Sequence, residues 1–201
     1  MALASLVRQE RGEKRERRLL STSGEVLFSD TGVSGIAIMQ LARDAREGDI
    51  LSLDFSPLLG NFLPYGRLTE PVDAQKSYEY CLNSLKKRSK YMNDVLLGLF
   101  PKKLENKLRA ESLEKTAKNI CDFRLKIRGS RGFDFAQVCA GGVRTEGIDP
   151  STLESCVKGL YILGEALNVD GDCGGFNLLF AFATGLLCAE NIGKEYKLKQ
   201  K

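Results

Sequence analysis

The sequence predicts an α+β chain: a β-rich domain with a helical insertion, then a segment of glycine turns and one long apolar helix. Three observations carry this. Apolar and polar residues alternate at 50–56 and again at 121–127, the two-residue period of half-buried strands. Between these two, residues 73–119 repeat at helical spacing. After about 135, short apolar runs end in Gly-Gly or Gly-Glu and lead into a long apolar stretch.

Taken in order, "ALASLVRQ" and "RRLLSTSGEVLF" flank a charged segment containing Gly12, which predicts a hairpin over 2–28. "SDTGVSG" (29–35) is turn chemistry. A helix follows, with Ile36, Met39, Gln40 and Arg43 at helical spacing and Gly48 as its C-terminal cap. "DILSLDFSP" places Leu51, Leu53 and Phe55 on one face of a strand. "DAQKSYEYCLNSLKK", "YMNDVLLGLF" and "PKKLENKLRAESLEKTAKNI" read as helices, with Pro101 in a first turn. A return strand puts Cys121, Phe123, Leu125 and Ile127 on one face. "AQVCAGGV" and "GLYILGE" read as short apolar strands that end in glycine turns. The helix at about 177–191 is apolar nearly all round, the pattern of a buried helix.

The 201 residues are 43% hydrophobic and 28% charged, a globular composition sized for one domain or two small ones. No apolar run approaches the ~20 residues of a bilayer span, and the N-terminus is apolar then basic, the reverse of a secretory signal. A cytoplasmic protein without a membrane partner is expected. The six Cys form no C-x-x-C pair, so reduced, mostly buried thiols and no metal site are expected. There is no His, which excludes Ser-His-Asp and Cys-His nucleophilic chemistry within the chain. The formal charge of +4 concentrates in 8–18 and 85–128, both interrupted by Glu or apolar residues. These read as solvated faces, with a nucleic-acid surface the minor reading.

"GEALNVDGDCGGFNLLFAFATG" (164–185) packs acids and glycines against an apolar run. A calcium loop starting at Asn168, with Asp170 and Asp172 as further ligands, would put Cys173 where glycine is needed and Leu179 where a bidentate Glu is needed. That loop is rejected. A different arrangement suits the residues. Gly174 and Gly175 lack a Cβ, so the main chain can be approached closely. Asn177 can cap the helix or bind a ligand. The N–H groups of the first helical turn carry partial positive charge toward whatever lies in front. A cofactor-facing helix start and a tight structural turn before a core helix both fit. The second Gly-Gly turn, in "AQVCAGGV", adds weight to the cofactor reading, because strand-end turns converge where open α/β sheets bind ligands.

The segments "GEVLFSDTGVSGIAIMQLAR" (24–43), "AQVCAGGV" (136–143), "TLES" (152–155) and "GLYILGEALNVDGDCGGFNLLFAFATG" (159–185) together resemble the back half of the BaiN-like family of bacterial NAD(P)/FAD-dependent oxidoreductases. The resemblance extends over nearly the whole chain. It implies a β-barrel-like domain with a helical insertion, set between the halves of a split Rossmann-type FAD domain. The barrel-like part takes 1–72, the insertion 73–119, the return strands 120–143 and the C-terminal FAD-domain segment 144–201.

The resemblance also implies cofactor-binding roles. Gly164 and Glu165 match a strand end whose acid faces the FAD ribityl chain, and Asp170 matches a second family acid. Gly174, Gly175, Phe176, Asn177 and Leu178 match the turn that brings a helix N-terminus to the pyrimidine edge of the flavin. Gly141 and Gly142 match a turn near its reactive face, and Gly32, Ser34 and Gly35 a structural turn. The implied activity is hydride transfer between an organic substrate and FAD, with NAD(P)H as second partner; no catalytic acid or base is assigned. The chain departs from the family at Asn168 (Asp), Phe176 (Tyr), Leu179 (Gln), Asp30 (His) and Ile36 (Pro), each a loss of polar or turn chemistry.

The G-x-G-x-x-G turn expected for the adenosine and pyrophosphate of FAD is not in the sequence. A fragment, inactive alone, is therefore expected, with the apolar helix left uncovered and prone to self-association. The alternatives are a non-catalytic binding or scaffold remnant and a basic nucleic-acid-binding module on 85–128.

Overall fold

The computed structural model describes residues 2–9, 16–59 and 74–199. It divides into two compact units, Met1–Gly129 and Ser130–Lys201.

The first unit is built on an antiparallel sheet. Strands β1 (Ala2–Gln9) and β2 (Glu16–Gly24) form the expected hairpin, whose connection at 10–15 lies outside the described residues. A two-stranded hairpin, β3 (Leu27–Ser29) and β4 (Gly32–Ser34), follows, and then helix α1 (Ile36–Ala42). Strand β5 (Ile50–Asp54) pairs with the other side of β1. Helices α2 (Ala74–Ser89), α3 (Lys102–Leu108) and α4 (Leu113–Cys121) come next, and β6 (Phe123–Lys126) returns to the free edge of β5. The sheet order is β2-β1-β5-β6, with β2 and β6 as edges. Among the described residues this sheet is open and forms no closed barrel.

β1 is central because its residues from Ala2 to Val7 are buried on both faces, and Ala2, Ala4 and Ser5 are small enough to sit beneath packed elements. Leu6 and Leu53 are fully buried, each contributing about 1.5–3 kcal/mol by transfer from water. α1 lies across the β1–β2 hairpin through Ala37 and Leu41, and Gly24 makes room: a Cβ there would stand 3.3 Å from the Ala37 Cβ. Gly35 precedes α1 at φ +105°, and a Cβ there would collide with the Glu25 carbonyl. That accounts for Gly35 as a structural turn. The helical insertion shares the sheet's core. Phe55 stacks edge-on against Phe100 (5.8 Å between centroids), and its N–H donates to the Ile120 carbonyl at 2.8 Å.

Several boundaries differ from expectation. α1 stops at Ala42, and Gly48 (φ +93°) sits in a turn whose N–H donates to the Ile127 carbonyl at 2.9 Å, so it is not the helix cap. "YMNDVLLGLF" forms turns and no helix. Asp94 Oδ1 accepts the Leu96 N–H, Arg88 donates to the Val95 and Leu97 carbonyls, and Gly98 is at φ +77°. Arg88 thus takes up carbonyls, and Asp94 an N–H, that a helix would otherwise use. Pro101 stands one residue before α3, as its N-terminal cap. α4 runs through Cys121, so the return strand begins at Phe123 and Cys121 is not on its face.

The second unit holds one long helix, α5 (Phe176–Lys199), and an irregular chain bearing 3-10 turns at 133–135, 145–147 and 164–166. "AQVCAGGV" and "GLYILGE" do not form strands. Pairing here is confined to single bridges, Val143 with Leu167, Ile148 with Ser155 and Glu154 with Tyr161. A strand needs a continuous ladder to satisfy its backbone, and one-residue bridges do not provide it.

α5 is not buried. Phe176, Leu178, Leu179, Phe182 and Leu186 are each more than half exposed, and among its described side chains only Thr184 and Cys188 are buried. Phe176–Lys194 is also long and apolar enough to cross a bilayer by length and composition, contrary to the expectation from unbroken apolar runs. All six cysteines are free thiols, but only Cys81 and Cys188 are buried.

Candidate cofactor site

The nominated residues all lie in the second unit, on segments joined by specific contacts. The centre is the 3-10 turn Gly164–Ala166. Gly164, at φ +61°, is buried against α5, where a Cβ would stand 3.3 Å from the Ala181 Cβ. Its N–H donates to Thr184 Oγ1 at 3.1 Å, and the Thr184 hydroxyl donates back into its own helix to the Phe180 carbonyl at 2.7 Å.

The Gly141–Gly142 turn docks beside this centre. The Val143 N–H donates to the Ala166 carbonyl (2.9 Å), and the Asn168 N–H donates to the Val143 carbonyl (2.8 Å). Gly142 is required by close approach: at φ +139°, a Cβ would lie 2.8 Å from the Ala166 carbonyl oxygen. Gly141, at φ +107°, faces open space. Glu165 Oε1 accepts the Cys139 N–H at 3.1 Å, a second tie between the two segments.

The turn before α5 is closed by a different residue. Asn177 Oδ1 accepts the Gly171 N–H at 2.7 Å, and its Nδ2 donates to the Gly171 carbonyl at 3.2 Å. Asn177 therefore braces the loop containing Asp170. Gly174 (φ +125°) and Gly175 (φ +95°) are exposed, and a Cβ on Gly175 would meet nothing within 4 Å. The helix ladder starts at the Leu179 N–H to Gly175 carbonyl bond (3.0 Å), so the amides of Phe176, Asn177 and Leu178 precede it. Phe176 and Leu178 are exposed. The structure thus brings Gly141, Gly142, Gly164 and Glu165 together around one turn, and sets Gly174–Leu178 at the start of the helix that this turn packs on.

Three features escaped the sequence reading. Thr184 is a buried hydroxyl inside an apolar run, where it reads as filler until the Gly164 N–H is placed beside it. Asn191 Nδ2 donates to the Ser151 carbonyl at 2.7 Å, anchoring the far end of α5 to the 149–155 loop. In that loop Leu153 is buried at φ +64°, its N–H donating to the Asp149 carbonyl (2.7 Å). The Ser151 hydroxyl and N–H hold the Asp149 carboxyl below the usual carboxylate range. Only the polar residues of "GIDPSTLES" hinted at such a turn.

The fit to a flavin is partial. Two positive-φ glycines, of which Gly175 faces open space and Gly174 has the Phe176 ring at 3.9 Å, followed by first-turn amides that precede the helix ladder, suit the flat, hydrogen-bond-accepting edge of the ring. Residues 5–191 match the family described as HI0933-like protein Rossmann domain. The chain belongs to this family. Its resemblance to BaiN-like flavoprotein oxidoreductases is thereby borne out, and Rossmann-like membership agrees with the mixed α and β content. Among relatives of this HI0933-like chain, a 3-dehydro-bile acid delta(4,6)-reductase of Clostridium scindens is 34% identical over 185 residues, covering 84% of this chain and 44% of the relative. A ribosomal RNA dihydrouridine synthase of Haemophilus influenzae is 27% identical over 186 residues (85% and 43%). Another of the same name from Escherichia coli is 28% identical over 170 residues (83% and 42%). The chain therefore spans less than half the length of these curated relatives.

Proposed function

We propose that this chain contributes to a flavin-dependent reduction of a carbon–carbon double bond conjugated to a carbonyl, with FAD as cofactor and NAD(P)H as hydride source. One observation carries the reading: the Gly174–Gly175 turn opens the N-terminus of α5 in a chain of the HI0933-like family. The relatives' names have this chemistry in common, one reducing a conjugated oxo-steroid acid and two reducing uracil in ribosomal RNA.

FAD, when bound, accepts hydride from the nicotinamide and delivers it to the substrate. The chain's own part is to bind and orient. The first-turn amides of α5 would hold the pyrimidine edge of the ring, where their partial positive charge would favour negative charge. Gly174 and Gly175 let the ring approach the main chain. Gly141, Gly142, Gly164 and Glu165 would supply an adjoining wall, and Asp170, in the loop braced by Asn177, a carboxylate. The reading includes a split cofactor domain, with the second unit as its C-terminal part and the antiparallel first unit as the inserted β-rich domain. The sequence has no G-x-G-x-x-G turn, so pyrophosphate binding is not assigned to these residues.

The direct test is FAD titration of the purified chain, followed by the visible flavin spectrum and flavin fluorescence. Flavin binding that Gly175→Asp abolishes is expected. No binding at high FAD would end the reading of this chain as a flavoprotein by itself, and binding retained in Gly175→Asp would refute the placement of the turn.

A second reading concerns the substrate. RNA uracil, as the alternative to a small free substrate, is supported by the names of two of the relatives.

A further inference from the structure

Two thiols meet in the helical insertion of the first unit, away from the residues nominated for the cofactor. Cys81 stands in the middle of α2 and is fully buried. Its Sγ lies 3.9 Å from the Ala117 carbonyl oxygen of α4, to which the thiol donates. In an α-helix the carbonyl of residue 117 faces the amide of residue 121. The ladder of α4 runs on past that point, since the Asp122 N–H donates to the Lys118 carbonyl at 2.9 Å. A thiol at the Ala117 carbonyl therefore stands beside Cys121, the last residue of α4. Cys121 is partly buried and packs against the core cluster that contains Cys81 and Ala117. The two side chains are hydrogen-bonded to each other, and this contact, together with burial, pushes the Cys81 thiol above its ordinary value.

Buried thiols that serve only as small apolar fillers have no reason to touch one another. Here they do, and they differ in access. Cys121 retains exposure while Cys81 has none, so an oxidant arriving from solvent meets Cys121 first. A second thiol in contact with the first is what converts a sulfenic acid into a disulfide.

We infer that Cys81 and Cys121 form a reversible redox latch, closed by a hydroperoxide and opened by a dithiol, that ties α2 to the end of α4. In the first step the Cys121 sulfur attacks one peroxide oxygen. The O–O bond breaks, and the departing hydroxide takes the thiol proton as water, leaving Cys121 as a sulfenic acid. In the second step the Cys81 sulfur attacks the Cys121 sulfur. The S–O bond breaks, and the departing hydroxide leaves with the Cys81 proton as a second water. The two thiols together lose two electrons and the peroxide gains them. A dithiol restores both thiols by exchange through a mixed disulfide. Strand β6 begins two residues after Cys121, at Phe123, so the closed latch also fixes this edge strand to the insertion.

The test treats the full native chain with hydrogen peroxide, blocks the remaining thiols, and maps peptides by mass spectrometry with and without prior dithiothreitol. A peptide linking Cys81 to Cys121, lost on reduction, is the expected result. The oxidised chain should melt about 5 °C or more above the reduced one, because a bridge between the two helices constrains the unfolded chain. In Cys81→Ala, Cys121 should stop at the sulfenic acid, trapped by a dimedone-type reagent, with no rise in midpoint. The link is read in the parent chain, so the inference is decided even where a variant does not fold. A parent chain in which Cys121 passes to sulfinic acid without a link, one in which both thiols stay unreacted, a main product joining a different pair, or a linked chain no more stable than the reduced one would each overturn it.

Discussion

Gly164 donates its buried N–H to the hydroxyl of Thr184 at 3.1 Å, fastening the central turn of the candidate site to the middle of α5. Thr184→Val keeps shape but removes the acceptor, leaving a buried N–H unsatisfied at a cost of about 1–3 kcal/mol. Thr184→Ser should recover most of it. Urea unfolding followed by tyrosine fluorescence measures the difference, since the chain has no Trp. Equal stability of the Val and Ser variants would show that the bond contributes nothing.

The two glycines of the 141–142 turn should respond differently to alanine. Both have positive φ, so each substitution carries backbone strain of about 1–3 kcal/mol. Only at Gly142 does the new Cβ also meet backbone, 2.8 Å from the Ala166 carbonyl. Gly142→Ala should therefore lower the unfolding midpoint clearly more than Gly141→Ala. A reversed order would contradict the observed docking of Val143 on Leu167.

Acid should unfold the first unit partly through Asp49. The Arg8 guanidinium, with the Arg46 N–H, holds its carboxyl below the ordinary value of 3.8, against the opposing effect of burial. A depressed folded value means stability that is fully present above the unfolded value and lost as pH falls below about 3.8 through the folded one. Asp49→Asn should lower stability at neutral pH and flatten its dependence on pH in that acid range. Equal pH slopes in both proteins would remove Asp49 from the account.

Asp54 has the opposite sign. Burial pushes its carboxyl above the ordinary value, only partly offset by hydrogen bonds from Ser56 and Ser77. The folded chain thus favours the protonated form, and this group opposes folding at pH values above its raised folded value. Asp54→Asn keeps an oxygen for the Ser56 N–H (2.8 Å) and should raise the neutral-pH unfolding midpoint. A fall in the midpoint would show that the charge itself is needed.

The exposed side chains of α5 predict concentration-dependent self-association, measurable by sedimentation velocity. Phe182→Glu with Leu186→Glu, at sites 71% and 73% exposed, should shift the chain toward monomer. A parent chain that stays monomeric across a wide concentration range would exclude it.

The sequence by itself determined much of this protein. The β1–β2 hairpin, β5, the helical insertion and the start of α5 follow from periodicity, because side-chain alternation and helical repeats are local properties. The glycine turns were equally legible, since only residues without a Cβ readily tolerate the φ values found at 141, 142, 164, 174 and 175. What tertiary structure decided is pairing and burial. "GLYILGE" is apolar enough for a buried strand, yet it forms only a single bridge at Tyr161, because a strand exists only where a neighbour supplies a ladder. α5 carries the pattern of a buried helix, yet one narrow face, at Thr184 and Cys188, is covered, because burial depends on what packs against a helix as well as on its own residues. Asn177 was legible as a polar residue at a helix start, but its bracing of Gly171 was not. Nor was the opposition of Arg8 and Arg17, which exists only through the register of two strands.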